Sequence, residues 1–286
     1  MNTLHDTDSI RSLIKQALSE DLGSAGDITS ESIFSNEDRV QALIKSKDTG
    51  ILSGRYLIGP VFHEIDTTLT VDLHVEEGAP LSVGTEIGTV SGAIKSILAG
   101  ERVVLNFLQR LSGIATRTAA LVGLIDGTRA KLLDTRKTTP VLRSLEKRAV
   151  IAGGGCNHRM GLYDMILIKD THVKAAGGPA AAVHKARDYC RTHRDIPVEV
   201  EVQSLEEFFE ALSAKPDRIM LDNMSIDEMR SCVGHRDGKD PSVMLEASGN
   251  VTEQTVRAIA ETGVDFISVG ALTHSISALD IHLIIL

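Results

Sequence analysis

VEVEVQSLEEFFEALSAKPDRIMLDN (198–223) holds one complete repeat of the architecture. Val198, Val200 and Val202 alternate with Glu199 and Glu201, so the valines share one face of a strand and the glutamates the other. Ser204 and Glu207 form the S-x-x-E signature of a helix start. A second apolar run, Arg218 to Leu221, then ends in Asp222 and Asn223. Strand, helix and strand in succession predict a parallel βα unit. The same grammar extends in both directions. Lys131 to Asp134 runs into Thr135, and Met165 to Ile168 runs into Lys169 and Asp170. Val243 to Leu245 runs into Glu246, and Phe266 to Val269 runs into Gly270. A second helix signature, Ser225 with Glu228, lies between these runs. Six such strands fall short of the eight of a closed barrel. The polar residues sit at the strands' C-terminal ends, where a βα-barrel keeps its chemistry. The expected class is therefore α/β, either an open, incomplete barrel or a barrel with two further strands that the sequence marks poorly.

Upstream, the pattern changes. Residues 8–21 carry Ile10, Leu13, Ile14, Ala17 and Leu18 at helical spacing. Val40 to Ile44, Leu69 to Val75 and Ile87 to Val90 read as short strands of an antiparallel sheet, and 97–125 reads as mostly helix. The apolar tail Ile281 to Leu286 is expected to return as a strand onto this first domain. The boundaries are thus 1–112, an α/β sandwich joined by 275–286, and 113–274, the barrel. A net charge of −9 and an aromatic content of 3% disfavour nucleic acid and anionic membrane as partners. Cys156, Cys190 and Cys232 form no CxxC pair, and no apolar run reaches membrane-spanning length. The N-terminal residues lack a signal-peptide core, so a cytoplasmic location is the expectation.

Charge is unevenly placed. Residues 134–174 hold eight basic and four acidic side chains inside this acidic chain. Arg136, Lys137, His158, Arg159 and Lys169 fall at strand ends or in the following loop, where a cationic pocket would take carboxylates or phosphates. Arg143, Lys147 and Arg148, at helical spacing, read instead as a solvated helix face. Glu199, Glu201, Asp222 and Glu246 form a carboxylate set that could hold Mg²⁺, accept from sugar hydroxyls or pair with the cations. Ser248-Gly249-Asn250, with a helix expected from about Thr252, and Val269-Gly270-Ala271 read as phosphate-binding loops. A strand-end Lys137 or Lys169 also leaves open a Schiff-base enzyme.

Three stretches, "DTRKTTPVLRSLEKRAVIAGGGCNHRMGLYDMILIKDTHV" (134–173), "LEASGNV" (245–251) and "TGVDFISVGALTHS" (262–275), resemble the quinolinate phosphoribosyltransferase family, and "GERVVLNFLQRLSGIAT" (100–116) resembles its interdomain helix. Two positions depart: Val141 stands where the family commonly has Gly, and Thr171 stands in its "KDNH" motif. The resemblance implies a type II phosphoribosyltransferase fold and a homodimer, or a higher oligomer built on it, with sites completed across subunits. It implies transfer of phosphoribosyl from 5-phosphoribosyl 1-pyrophosphate to quinolinate with Mg²⁺, releasing pyrophosphate and CO₂ and giving nicotinate mononucleotide for de novo NAD biosynthesis. By the same resemblance Arg102, supplied by the partner, joins Thr135, Arg136, Lys137, His158, Arg159 and Lys169 around quinolinate and pyrophosphate. Glu201 and Asp222 face the ribose hydroxyls and Mg²⁺, with Glu199 the alternative, and Lys137, Glu201 and Asp222 carry the catalysis. Ser248, Gly249, Asn250, Val269, Gly270 and Ala271 hold the 5-phosphate.

Overall fold

The computed structural model describes residues 7–286. Its strands are β1 (Arg39–Ser46), β2 (Gly50–Ile51), β3 (Thr70–Leu73), β4 (Pro80–Leu81), β5 (Glu86–Ala93), β6 (Lys131–Leu133), β7 (Ile166–Ile168), β8 (Val198–Val202), β9 (Arg218–Asp222), β10 (Met244–Ser248), β11 (Phe266–Ser268) and β12 (Ile281–Ile285). The chain divides into two compact units. One comprises the residues up to Arg117 with Pro140–Gly154 and Ser275–Leu286, and the other Thr118–Thr139 with Gly155–His274.

The first unit is built on an antiparallel sheet of order β12-β1-β5-β3. Helix Arg55–Ile65 buries Leu57, Ile58, Val61 and Phe62, one apolar stripe at helical spacing. The apolar tail pairs with β1, Leu283 opposite Ile44 and Ile285 opposite Ala42. It is also tied to helix Ile94–Leu124: the Gln109 amide donates to the Ile281 carbonyl at 2.7 Å. Gly113 on that helix has no room for a side chain, since a Cβ would stand 2.2 Å from the Ser277 carbonyl.

Residues 140–154, placed with the barrel by the sequence boundaries, belong to this first unit. Their helix, Arg143–Ala152, is not a solvated face. Lys147 and Glu146 are fully buried, Arg110 donates to Glu146 at 2.7 and 2.9 Å, and the Arg148 guanidinium lies 3.5 Å over the Tyr56 ring. Charge spacing along one helix does not reveal that distant residues supply the partners; that is why the reading from sequence fails here.

The second unit carries a six-stranded parallel sheet of order β6-β11-β10-β9-β8-β7. Helices Leu205–Ser213 and Ile226–Lys239 bury Phe208, Ala211 and Leu212, and Met229, Cys232 and Val233. Both start at the serines expected from sequence: Ser204 accepts the Glu207 N–H, and Ser225 with Glu228 forms a reciprocal capping box. All five residues of β8 are buried, so Glu199 and Glu201 occupy interior positions that would otherwise be apolar. One feature has no sequence signal. Cys156 pairs in parallel with Leu133 beside β6, in a Gly-rich stretch without strand periodicity. No helix among the described residues is long and apolar enough to cross a membrane.

Candidate active site

Parallel strands deliver their C-terminal ends to one side of the sheet, and there the second unit forms a cavity of about 710 Å³. Thr135, Arg136 and Lys137 follow β6, and His158 and Arg159 follow the Cys156 pairing. Lys169 follows β7, Glu201 lies on β8 and Asp222 ends β9. Ser248, Gly249 and Asn250 come from the end of β10, and Val269, Gly270 and Ala271 from that of β11. All of these line the cavity. Arg102 does not; it is exposed on helix Ile94–Leu124 of the first unit.

Two of the cations, Arg136 and Arg159, lie close enough to feel each other's charge. Burial and the Arg136 guanidinium both work against the charge of Arg159. Two crowded guanidinium groups facing one cavity are relieved by an anion between them. Arg159 also donates to the Met165 carbonyl at 3.2 Å, which fixes its direction. The Lys137 carbonyl accepts from the buried Thr273 hydroxyl at 2.7 Å. The Lys137 side chain crosses Gly270 so closely that a Cβ there would stand 3.0 Å from its Cδ. Lys169 is ion-paired with Glu201, an engaged cation rather than the free amine that a Schiff-base nucleophile requires.

Glu199 plays a different part from Glu201. It lies fully buried beside His158, at 3.1 Å from Nε2, and Glu246 approaches the same nitrogen at 3.4 Å. Arg218 donates to Glu246 at 2.8 Å and stacks on Phe266 at 4.2 Å. Burial and the Glu246 charge push Glu199 above the usual carboxylate range. Glu246 is buried as deeply, but His158 and Arg218 hold it below that range. For His158, burial opposes the charged form, yet the two carboxylates outweigh it and raise the imidazole to about 9. The Arg159 N–H, 2.7 Å from Nδ1, is accepted only by the neutral tautomer and pulls the other way; the two carboxylate contacts at Nε2 set the upward direction. The ligand atoms of His158, Glu199 and Glu246 lie within 4.8 Å of one another, a spacing a metal could use. Arg218 also supplies positive charge there, and His158 and Glu246 line the cavity, so this buried ion network forms part of its wall.

The phosphate loops differ from expectation in one respect. No helix starts at Thr252; Val256–Ala260 is a five-residue helix that begins later, after a Thr252–Thr255 turn. The left-handed Gly249 and Asn250 hold the loop open before it. Sequence reasoning also passed over Asn223, Thr252, Ser268 and His274, which line the cavity. Asn223 and Ser268 stand at strand ends and could have been found by that position; His274 shows no motif spacing.

The comparisons with known proteins agree with this geometry. The C-terminal domain of quinolinate phosphoribosyl transferase matches over residues 114–284, and its N-terminal domain over residues 27–112. A chloroplastic nicotinate-nucleotide pyrophosphorylase (carboxylating) of Arabidopsis thaliana is 42% identical over 98% of this chain and 83% of its own. A probable enzyme of the same name from Bacillus subtilis is 43% identical over 96% of this chain and 92% of its own. The solved nicotinate-nucleotide pyrophosphorylase of Francisella tularensis superposes with a TM-score of 0.91 at 39% identity, covering 99% of this chain and 98% of the other. With both domains matched, and with relatives at this identity along nearly its whole length, the chain belongs to the quinolinate phosphoribosyl transferase family.

Proposed function

We propose that this protein transfers the phosphoribosyl group of 5-phosphoribosyl 1-pyrophosphate to quinolinate with loss of CO₂, giving nicotinate mononucleotide and pyrophosphate for NAD biosynthesis. One observation carries the reading: Arg136, Lys137, Arg159 and Lys169 converge on one cavity that Glu201 and Asp222 also line. Quinolinate is a dicarboxylate and the donor carries a phosphate and a pyrophosphate, so both substrates need cations. The ribose gains positive charge as pyrophosphate leaves, so it needs carboxylates. The pyridine nitrogen then attacks and becomes cationic, and that charge stabilises the carbanion left when the adjacent carboxylate departs as CO₂; the carbanion takes up a proton to give the product.

Glu201 and Asp222 offer hard carboxylate oxygens from the neighbouring strands β8 and β9, the donor chemistry that suits Mg²⁺. Asp222 and Glu201, the latter ion-paired to Lys169, would be the residues that hold Mg²⁺. Bound there, Mg²⁺ would neutralise charge on the departing pyrophosphate. Asp222 and Glu201 orient the ribose, and Ser248 to Asn250 with Val269 to Ala271 hold the 5-phosphate. The functional unit in this reading is a homodimer in which Arg102 enters the neighbouring subunit's cavity. A cytoplasmic location goes with it, supported by three free cysteines.

A panel of quinolinate and nicotinate, scored for CO₂ and for nucleotide, tests the reading. Quinolinate is expected to react and nicotinate hardly at all, because a missing carboxylate leaves a pocket cation unpaired. Comparable kcat/KM for nicotinate would defeat it.

A further inference from the structure

Among the described residues, Asn223 is one of four non-glycine residues with positive φ, at 54°. Its own N–H donates to the Ser248 carbonyl at 2.9 Å, continuing the pairing of β9 with β10 by one residue past Asp222. Glycine would make this turn without cost. What asparagine adds is a side chain with a donor end and an acceptor end. The donor end is fixed by chemistry: Nδ2 lies 3.0 Å from Oδ2 of Asp222, a carboxylate that only accepts. The acceptor end, Oδ1, takes the Asn250 amide at 3.1 Å. The fit against the loop is close, since a Cβ on Gly249 would stand 2.2 Å from Asn223 Oδ1. The Gln203 amide donates to the same Asp222 oxygen at 3.4 Å.

We infer that Asn223 is a positioning residue that locks the Ser248–Asn250 loop to Asp222, so that the donor's 5-phosphate and its ribose are held at a set separation. It touches neither reacting atom and acts through the two groups it joins. Its consequence is selective. The phosphoribosyl donor spans the two groups that Asn223 joins, whereas the carboxylates of the pyridine acceptor pair with cations, none of which Asn223 bonds in the structure. The inference rests on the proposed function, and the test separates the two.

Two variants keep the left-handed turn, Asn223→Gly and Asn223→Asp. Calorimetric titration with 5-phosphoribosyl 1-pyrophosphate and Mg²⁺, without acceptor, reads donor affinity directly. Asn223→Gly is expected to bind the donor about tenfold more weakly, the loss typical of a removed hydrogen bond to a charged group. Asn223→Asp is expected to bind it more weakly still, since it sets a carboxylate against Asp222. Quinolinate affinity, titrated alone, and melting temperature should stay at parental values in Asn223→Gly. Donor affinity unchanged in both variants, or quinolinate affinity falling in parallel, would overturn the inference. A parent that binds no donor at all would instead overturn the proposed function, and the inference with it.

Discussion

His158 shows how a single residue's environment becomes a measurable property of the fold. Held between Glu199 and Glu246, it is raised from 6.5 to about 9. A group whose folded pKa lies above its unfolded value stabilises fully below the unfolded one and loses that stabilisation as pH rises through the folded one. The window here runs from 6.5 to about 9. Denaturant unfolding at stepped pH should therefore show stability falling across that window in the parent. His158→Gln, which cannot take up a proton, should flatten the fall. Equal slopes in the two proteins would show that His158 carries no raised pKa. The residue identities were visible in the sequence as separate members of a cationic and a carboxylate set. Their union was not, because Glu199 and Glu246 meet His158 only once the strands are ordered.

At the scale of elements, the segment joining β6 to helix Arg143–Ala152 carries a strained residue. Val141 has φ 61°, a conformation that a β-branched side chain adopts only at a cost. Its side chain is 83% exposed, so no buried contact offsets the strain. Relief of a non-glycine left-handed residue is worth about 1 kcal/mol or more. Val141→Gly is thus expected to raise the unfolding free energy by about 1 kcal/mol, reduced somewhat by the greater freedom of glycine in the unfolded chain. A lower unfolding free energy in the variant would show that the segment is not strained at this position. Elements whose signal is periodic, such as β8 and helix Leu205–Ser213, were legible from their own residues. The turn at Val141 was legible only as a departure from a family pattern, since φ leaves no mark on a valine codon by codon.

For the whole molecule, the decisive question is whether each site is made by one chain or two. Arg102 is exposed and lines no part of its own chain's cavity. If it serves the partner's site, Arg102→Ala and Lys137→Ala should each be inactive as homodimers, and mixing them should restore activity. In a mixed dimer both lesions fall in one site and the other site is intact, so random exchange recovers up to roughly a quarter of parental activity in a two-fold symmetric dimer. Mixed dimers confirmed by tagged co-purification, yet without activity, would place Arg102 outside the partner's site.

The sequence by itself determined the α/β class, the six parallel strands, the returning C-terminal strand and most of the polar residues of the cavity. It could do so because period-two alternation, capping boxes and strand-end polarity are local, and a parallel sheet carries each strand end to the same side. Only the tertiary structure decided that Glu199 belongs to a buried ion network while Glu201 pairs with Lys169. It alone assigned residues 140–154 to the first unit and set Asn223 between Asp222 and Asn250. Those outcomes depend on which distant residues become neighbours, and charge, burial and hydrogen-bond partners are properties of that neighbourhood rather than of the residue that enters it.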